Sequence, residues 1–152
     1  MSKKALVNKE LEERMAALAD YFGLIVGIAK EANDGKRNFR SGDFKVSPSV
    51  EEAFVNWNGF AEYMTLCVDD HFNGRHGAVP PEVVPLNALC IENGYGIVSS
   101  MFEFPEERRE DNSPFLTITT FFREDRTETV VAFSFEILDA ASEIVKAATA
   151  EC

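Results

Sequence analysis

Residues 86–104, LNALCIENGYGIVSSMFEF, admit two readings, and each leads to a different sheet. In the first, Leu86–Glu92 and Tyr95–Phe104 are strands joined at Asn93-Gly94. Asn-Gly is the favoured pair for a type I′ hairpin turn, because both central residues need positive φ. In the second, residues 86–92 form a short helix and Gly94 caps it. The first reading gives a four-stranded antiparallel meander, the second a three-stranded one.

Downstream the apolar period is two. Phe115–Arg123 and Glu128–Leu138 flank a turn at Glu124–Thr127, and the charged segment Pro105–Pro114 joins this hairpin to the preceding strand. Alternation then sorts the side chains. Val98, Ser100, Phe102, Phe104, Leu116, Ile118, Phe122, Val131, Phe133, Phe135 and Ile137 point one way along their strands. Ile97, Ser99, Met101, Glu103, Phe115, Thr117, Thr119, Phe121, Val130, Ala132, Ser134 and Glu136 point the other way. The first face is greasy and belongs under helices; the second is small and hydroxylated with an aromatic rim, as on an antiparallel sheet with one side open. Asp139–Ala150 closes the chain as a helix whose Ala141, Ile144, Val145 and Ala148 give one apolar side.

Upstream the period is helical. Leu11, Met15, Leu18, Phe22, Ile25, Ala29 and Ala32 recur every three or four residues, a single stripe on a helix over 8–34, capped by Asn8 and ended at Gly35. After a polar link with a short extended piece at Asp43–Val46, Ser49-Val-Glu-Glu52 reads as a capping box. Val50, Phe54, Trp57, Ala61, Met64, Val68 and His71 repeat the same spacing as one helix ending near residue 73 at Gly74. The two stripes either pack on each other as an antiparallel helical hairpin or form a homodimer interface. Pro80, Pro81 and Pro85 mark 75–85 as loop.

These readings combine into one α+β domain over 1–152: helical hairpin 1–74, Pro-rich loop 75–85, antiparallel sheet 86–138, and a C-terminal helix 139–152 packed on one sheet face. A chain of 152 residues buries roughly 70% of its unfolded surface and needs no staple. The three cysteines, Cys67, Cys90 and Cys152, form no close pair, which fits a reducing cytoplasm. No apolar run is long enough for a signal peptide or a membrane span.

Charge is distributed unevenly. The formal net charge is -11, and residues 82–152 carry 14 Asp and Glu against 5 Lys and Arg. Such a half repels a phosphate backbone, which argues against direct nucleic-acid binding, and attracts a basic protein.

Within residues 67–77, CVDDHFNGRHG, two carboxylates, two imidazoles and a thiol are close in sequence. A histidine on an apolar stripe, as His71 is, reads first as a core residue hydrogen-bonded to a buried partner. Asp69 and Asp70 lie where the helix dipole disfavours anions, so Arg75 or a residue of the basic linker Lys36, Arg37, Arg40 and Lys45 is expected beside them. The alternative is a divalent cation held by Asp69, Asp70, His71 and His76. The five-residue step between the histidines is not the i, i+4 pair of a helical zinc motif, and adjacent helix residues diverge by about 100°. The sequence also lacks a phosphate-binding glycine loop, paired Cys-x-x-Cys knuckles and a nucleophile elbow.

These features predict a non-catalytic, cofactor-free acidic protein. It would block a basic partner, such as a nuclease, through Glu103, Glu106, Glu107, Glu110, Asp111, Glu124, Asp125 and Glu128, as an immunity protein, phage-encoded inhibitor or nucleic-acid mimic would. A second expectation is a small-molecule-binding protein or enzyme that uses the hydroxylated sheet face together with the Asp69, Asp70 and His71 cluster, with Thr117, Thr119 and Ser134 as hydrogen-bonding groups and Phe115 or Phe121 stacking on the ligand. A third is a dimeric assembly protein joined through the helix stripes.

Overall fold

The computed structural model describes residues 3–57, 59–103, 115–123 and 126–134. In chain order they form α1 (Lys3–Asn33), β1 (Asp43–Val46), α2 (Pro48–Asn56), α3 (Phe60–Phe72), α4 (Val83–Asn93), β2 (Gly96–Phe102), β3 (Leu116–Phe122) and β4 (Thr127–Phe133). The class is α+β as read, but the sheet is mixed. Its order is β1-β4-β3-β2, with β2–β3 and β3–β4 antiparallel and β1 parallel to β4. The expected C-terminal helix at 139–152 lies outside the described residues. Among the described residues no helix is long and apolar enough to cross a membrane.

Residues 86–92 are helical, so the hairpin reading of Asn93-Gly94 is overturned. Gly94 stands at φ 64 as the C-cap of α4, and its N–H donates to the Cys90 carbonyl. One residue with positive φ ends the helix, where the type I′ turn requires two. Pro85 falls in the first turn of α4 rather than in loop, at a place where its missing N–H costs no helical bond. Asn87 is buried on α4; its Nδ2 donates to the Ser99 carbonyl at 2.7 Å and its Oδ1 accepts from the Ser99 N–H at 3.0 Å. The side-chain amide thus acts as a one-residue neighbouring strand for the edge of β2. Further along that edge, Met101 N–H donates to the His76 carbonyl and Ala78 N–H to the Met101 carbonyl. These contacts cover an edge that would otherwise template pairing with another chain.

The single helix expected over 49–73 is two helices. Trp57 is extended and Gly59 has φ 77, a left-handed turn that breaks the helix although the apolar spacing runs through it. The first N-cap is Ser47 instead of Ser49: the Ser47 Oγ accepts from the Val50 N–H, and Pro48 opens α2. Trp57 stacks on Phe133 (centroids 5.5 Å, 27°) and meets Phe60 edge-on, so the break tucks an indole against the end of β4.

The core lies between α1 and α3 on one side and the greasy sheet face on the other. Phe60, Phe72, Ile25, Leu116 and Ile118 are its largest fully buried apolar side chains, each worth about 2–3 kcal/mol of burial. The α1 stripe is internal only in its second half: Ile25, Ile28, Ala29 and Ala32 are buried, whereas Met15 and Phe22 are 62% and 60% exposed.

Strand β1 is held where the chain crosses the β3–β4 turn. Asn33 brackets Gly42 with both amide atoms, and Gly42 has φ 62. A Cβ there would sit 1.8 Å from the Thr127 carbonyl oxygen, and neither backbone has room to yield. Gly42→Ala is therefore expected to cost about 2–3 kcal/mol in urea unfolding, from combined overpacking and left-handed strain. Gly94→Ala has a similar φ but nothing within 4 Å of the added carbon, and is expected to cost about 1 kcal/mol. Equal losses at the two positions would contradict the close approach.

Candidate functional site

Under α3 a line of polar side chains crosses the otherwise greasy sheet face. His71 is fully buried, with Nδ1 2.6 Å from Ser100 Oγ and Nε2 2.9 Å from Thr120 Oγ1. The line continues from Thr120 Oγ1 to Thr129 Oγ1 at 2.8 Å and from Thr129 Oγ1 to the Ser41 carbonyl at 2.8 Å. At its other end His76 Nδ1 lies 2.7 Å from Ser100 Oγ. Phe39 and Phe72 close on the His71 ring edge-on, at 5.1 and 4.9 Å.

The carbonyl at one end fixes every proton in this line. Ser41 can only accept, so Thr129 donates to it. Thr129 has one proton, so Thr120 must donate to Thr129. Thr120 is then spent as a donor, and the His71 Nε2–H must donate to it. Burial holds the His71 imidazole far below the ordinary 6.5, with His76 adding to that effect, so the ring is neutral and its Nδ1 accepts. Ser100 donates to that Nδ1, and the His76 Nδ1–H donates to Ser100. His76 is half-buried, and burial lowers its pKa as well. The chain His76→Ser100→His71→Thr120→Thr129→Ser41 has a donor and an acceptor at every link and runs in one direction, ending on the Ser41 carbonyl while the Ser41 hydroxyl is buried without a partner.

This arrangement accounts for residues 67–77 without a metal. Asp69 and Asp70 point away from His71, as their places on the helix require. Arg37 Nη1 pairs with Asp69, and Arg75 Nε donates to Asp70 Oδ1 at 2.8 Å, so the linker and Arg75 supply the expected neutralisation. The carboxylates and imidazoles face different surroundings, and among the described residues no group of three or more His, Cys, Asp or Glu could hold a metal ion. Burial, opposed by a Tyr63 hydrogen bond and aided by Asp70, pushes the Cys67 thiol up to about 12, which makes it a core residue rather than a nucleophile. Ser100, between two imidazoles, has the neighbours of an activated hydroxyl but no solvent exposure.

The hydroxylated sheet face is not an open ligand platform. Thr117 and Thr119 are each only 6% exposed, and Thr117 Oγ1 donates to the Ala132 carbonyl of its own sheet. Phe115 and Phe121 are half-buried, with the Arg123 guanidinium 5.6 Å over the Phe121 ring; Ser134 is half-buried and its N–H donates to the Phe115 carbonyl. Of these five residues, Thr117 and Thr119 are covered, and the Thr117 hydroxyl is engaged within the sheet.

Of the expected acidic contact set, Glu103 is exposed and Glu128 is nearly covered. Lys45 Nζ lies 2.8 Å from Glu128 Oε1 and Arg126 Nη2 lies 3.6 Å from Oε2. The Lys45 bond, opposed by burial, holds the Glu128 carboxyl below the usual carboxylate value. Glu106, Glu107, Glu110, Asp111, Glu124 and Asp125 lie outside the described residues.

Sequence reasoning missed two surfaces. One is a groove of about 650 Å³ walled by Phe22 and Val26 of α1, Phe44 of β1, and Phe54 and Val55 of α2. The other is a cleft beside the β3–β4 turn lined by Arg40, Arg123 and Arg126. No protein-family model, curated protein or solved structure matches the chain.

Proposed function

We propose that the protein is a non-catalytic binding module that docks on a basic protein, such as a nuclease or another nucleic-acid-binding protein, and blocks it. The observation that carries this reading is the excess of 14 carboxylates over 5 basic residues in residues 82–152. The enclosed histidine chain supports it, because the imidazoles and the serine with catalytic chemistry are engaged inside the fold. Glu128 is already neutralised by Lys45 and Arg126 and leaves the contact set. The proposed set is Glu103, Glu106, Glu107, Glu110, Asp111, Glu124 and Asp125, whose carboxylates would stand where phosphates sit on the partner.

Immobilised protein is expected to capture a basic partner from lysate at about 0.05 M salt and to release it by about 0.5 M, where the Debye length is only a few ångström. Reversal of Glu106, Glu107 and Glu110 to Lys is expected to abolish the capture. Retention that ignores both salt and charge reversal would contradict the reading.

A second reading is favoured by one observation, the exposure of Met15 and Phe22 on α1. A homodimer joined through that stretch would cover both side chains. It predicts a dimer in sedimentation at micromolar concentration that Phe22→Ser shifts to monomer; a monomeric parent protein would dismiss it.

A further inference from the structure

The cleft of about 500 Å³ beside the β3–β4 turn has a lining at odds with the rest of the molecule. Three arginines reach it from two places: Arg40 from the linker, and Arg123 and Arg126 from the turn. Among the described residues no carboxylate lines it, in a chain whose net charge is -11. Arg126 shares Glu128 with Lys45. Arg40 has no carboxylate partner among the described residues; Arg123 stands over the Phe121 ring and adds to the positive field on Glu128, and both arginines are exposed. Asn38 adds an exposed amide and Thr127 a hydroxyl. The apolar wall is Phe39, Ile91 and Phe122, with the Phe39 and Phe122 rings edge-on at 5.9 Å. The close approach of Gly42 to Thr127 sets the linker beside the turn, so the fold places all three arginines around one cleft.

We infer that this cleft binds a phosphate monoester carrying an apolar or planar body. Three guanidinium groups with Glu128 as their one carboxylate neighbour among the described residues match a dianion, and a phosphate monoester carries between about -1.5 and -2 near neutral pH. The planar fork of arginine suits two oxygens of one phosphate. Asn38 and Thr127 supply further donors, and the Phe39, Ile91 and Phe122 wall takes the body. The size falls in the range of small-ligand pockets, about 300–1,000 Å³. Glu124 and Asp125 of the proposed contact set lie between Arg123 and Arg126 in the sequence, but the inference does not rest on the reading above.

The test uses the full chain at about 0.05 M salt, where exposed charges are weakly screened. Inorganic phosphate, phenyl phosphate and phenol are titrated by calorimetry and by two-dimensional amide NMR. Phenyl phosphate is expected to bind with a Kd on the order of 1 mM or below, more tightly than inorganic phosphate, with amide shifts at Asn38, Arg40 and Thr127; phenol is expected not to bind. Arg40→Ala with Arg123→Ala is expected to weaken phenyl phosphate binding about tenfold or more, while Lys36→Ala leaves it unchanged. Both arginines are exposed, and circular dichroism of the double variant establishes that it folds. Absence of binding by either phosphate up to about 10 mM, equal binding by the double variant, or equal affinity for phenol would overturn the inference.

Discussion

Replacing His71 with Ala is expected to cost about 4 kcal/mol, a large share of the stability of a domain this size. Two losses combine. Removing a fully buried ring from between Phe39 and Phe72 leaves a cavity, and large-to-small changes at such positions cost about 2–5 kcal/mol. The Ser100 hydroxyl proton then loses its acceptor in a site closed to water, at about 1–3 kcal/mol. Urea unfolding of the variant measures the sum. A loss below about 1.5 kcal/mol would mean that His71 fills space and that its two hydrogen bonds carry little.

Acid is expected to destabilise the protein in the range where free histidine titrates. The folded-state pKa of His71 lies well below 6.5, because burial disfavours the imidazolium and His76 adds to that effect. The unfolded chain takes up this proton near 6.5 and the folded chain does not. Stability is therefore complete above 6.5 and falls as pH drops below it, at up to about 1.4 kcal/mol per pH unit from His71. His76, lowered by its own burial, steepens the upper part of the fall. Geometry gives the same sign: a proton on His71 Nδ1 would face Ser100 Oγ, which already accepts from His76, and the Ser100 proton would lose its acceptor. Glu128 acts lower on the scale. Its lowered pKa stabilises the fold above the ordinary 4.5, and that contribution is lost as pH falls through the folded value. Denaturant unfolding at a series of pH values between about 7.5 and 4.5 tests this. A flat profile from pH 7 to about 5 would contradict it.

How far the sequence carried these conclusions depends on the reach of each interaction. The place of His71 was legible, because an apolar stripe at helical spacing turned it inward. Its partners were partly legible as well: alternation put Ser100 on the core face, and the same parity carried one step along places Thr120 beside Ile118 and Thr129 beside Val131. The neutralisation of Asp69 and Asp70 followed from the helix dipole and the basic linker.

Other features depended on contacts remote in the chain. Asn93-Gly94 satisfies a hairpin and a helix cap alike, and the contact that favours the helix is Asn87 against the edge of β2. Apolar spacing ran unbroken through the α2–α3 break because Trp57 and Ala61 kept the period; the local sign was Gly59, whose left-handed φ no other residue adopts cheaply. The parallel pairing of β1 with β4 joins Asp43 to Glu128, too far apart for any local pattern. That pairing also turned a predicted contact carboxylate into a structural one. The arginine cleft was hidden for the same reason, since Arg40 belonged to a basic linker and Arg123 and Arg126 to an acidic turn until the fold joined them.

The account rests on the direction of the buried chain from His76 to Ser41, and imidazole ¹⁵N–¹H correlation NMR on the folded protein near neutral pH reads that direction without perturbing it. The expected spectrum has both rings neutral, with the proton on Nε2 of His71 and on Nδ1 of His76. A proton on Nδ1 of His71, or a charged His71 ring, would reverse or break the chain and contradict the account.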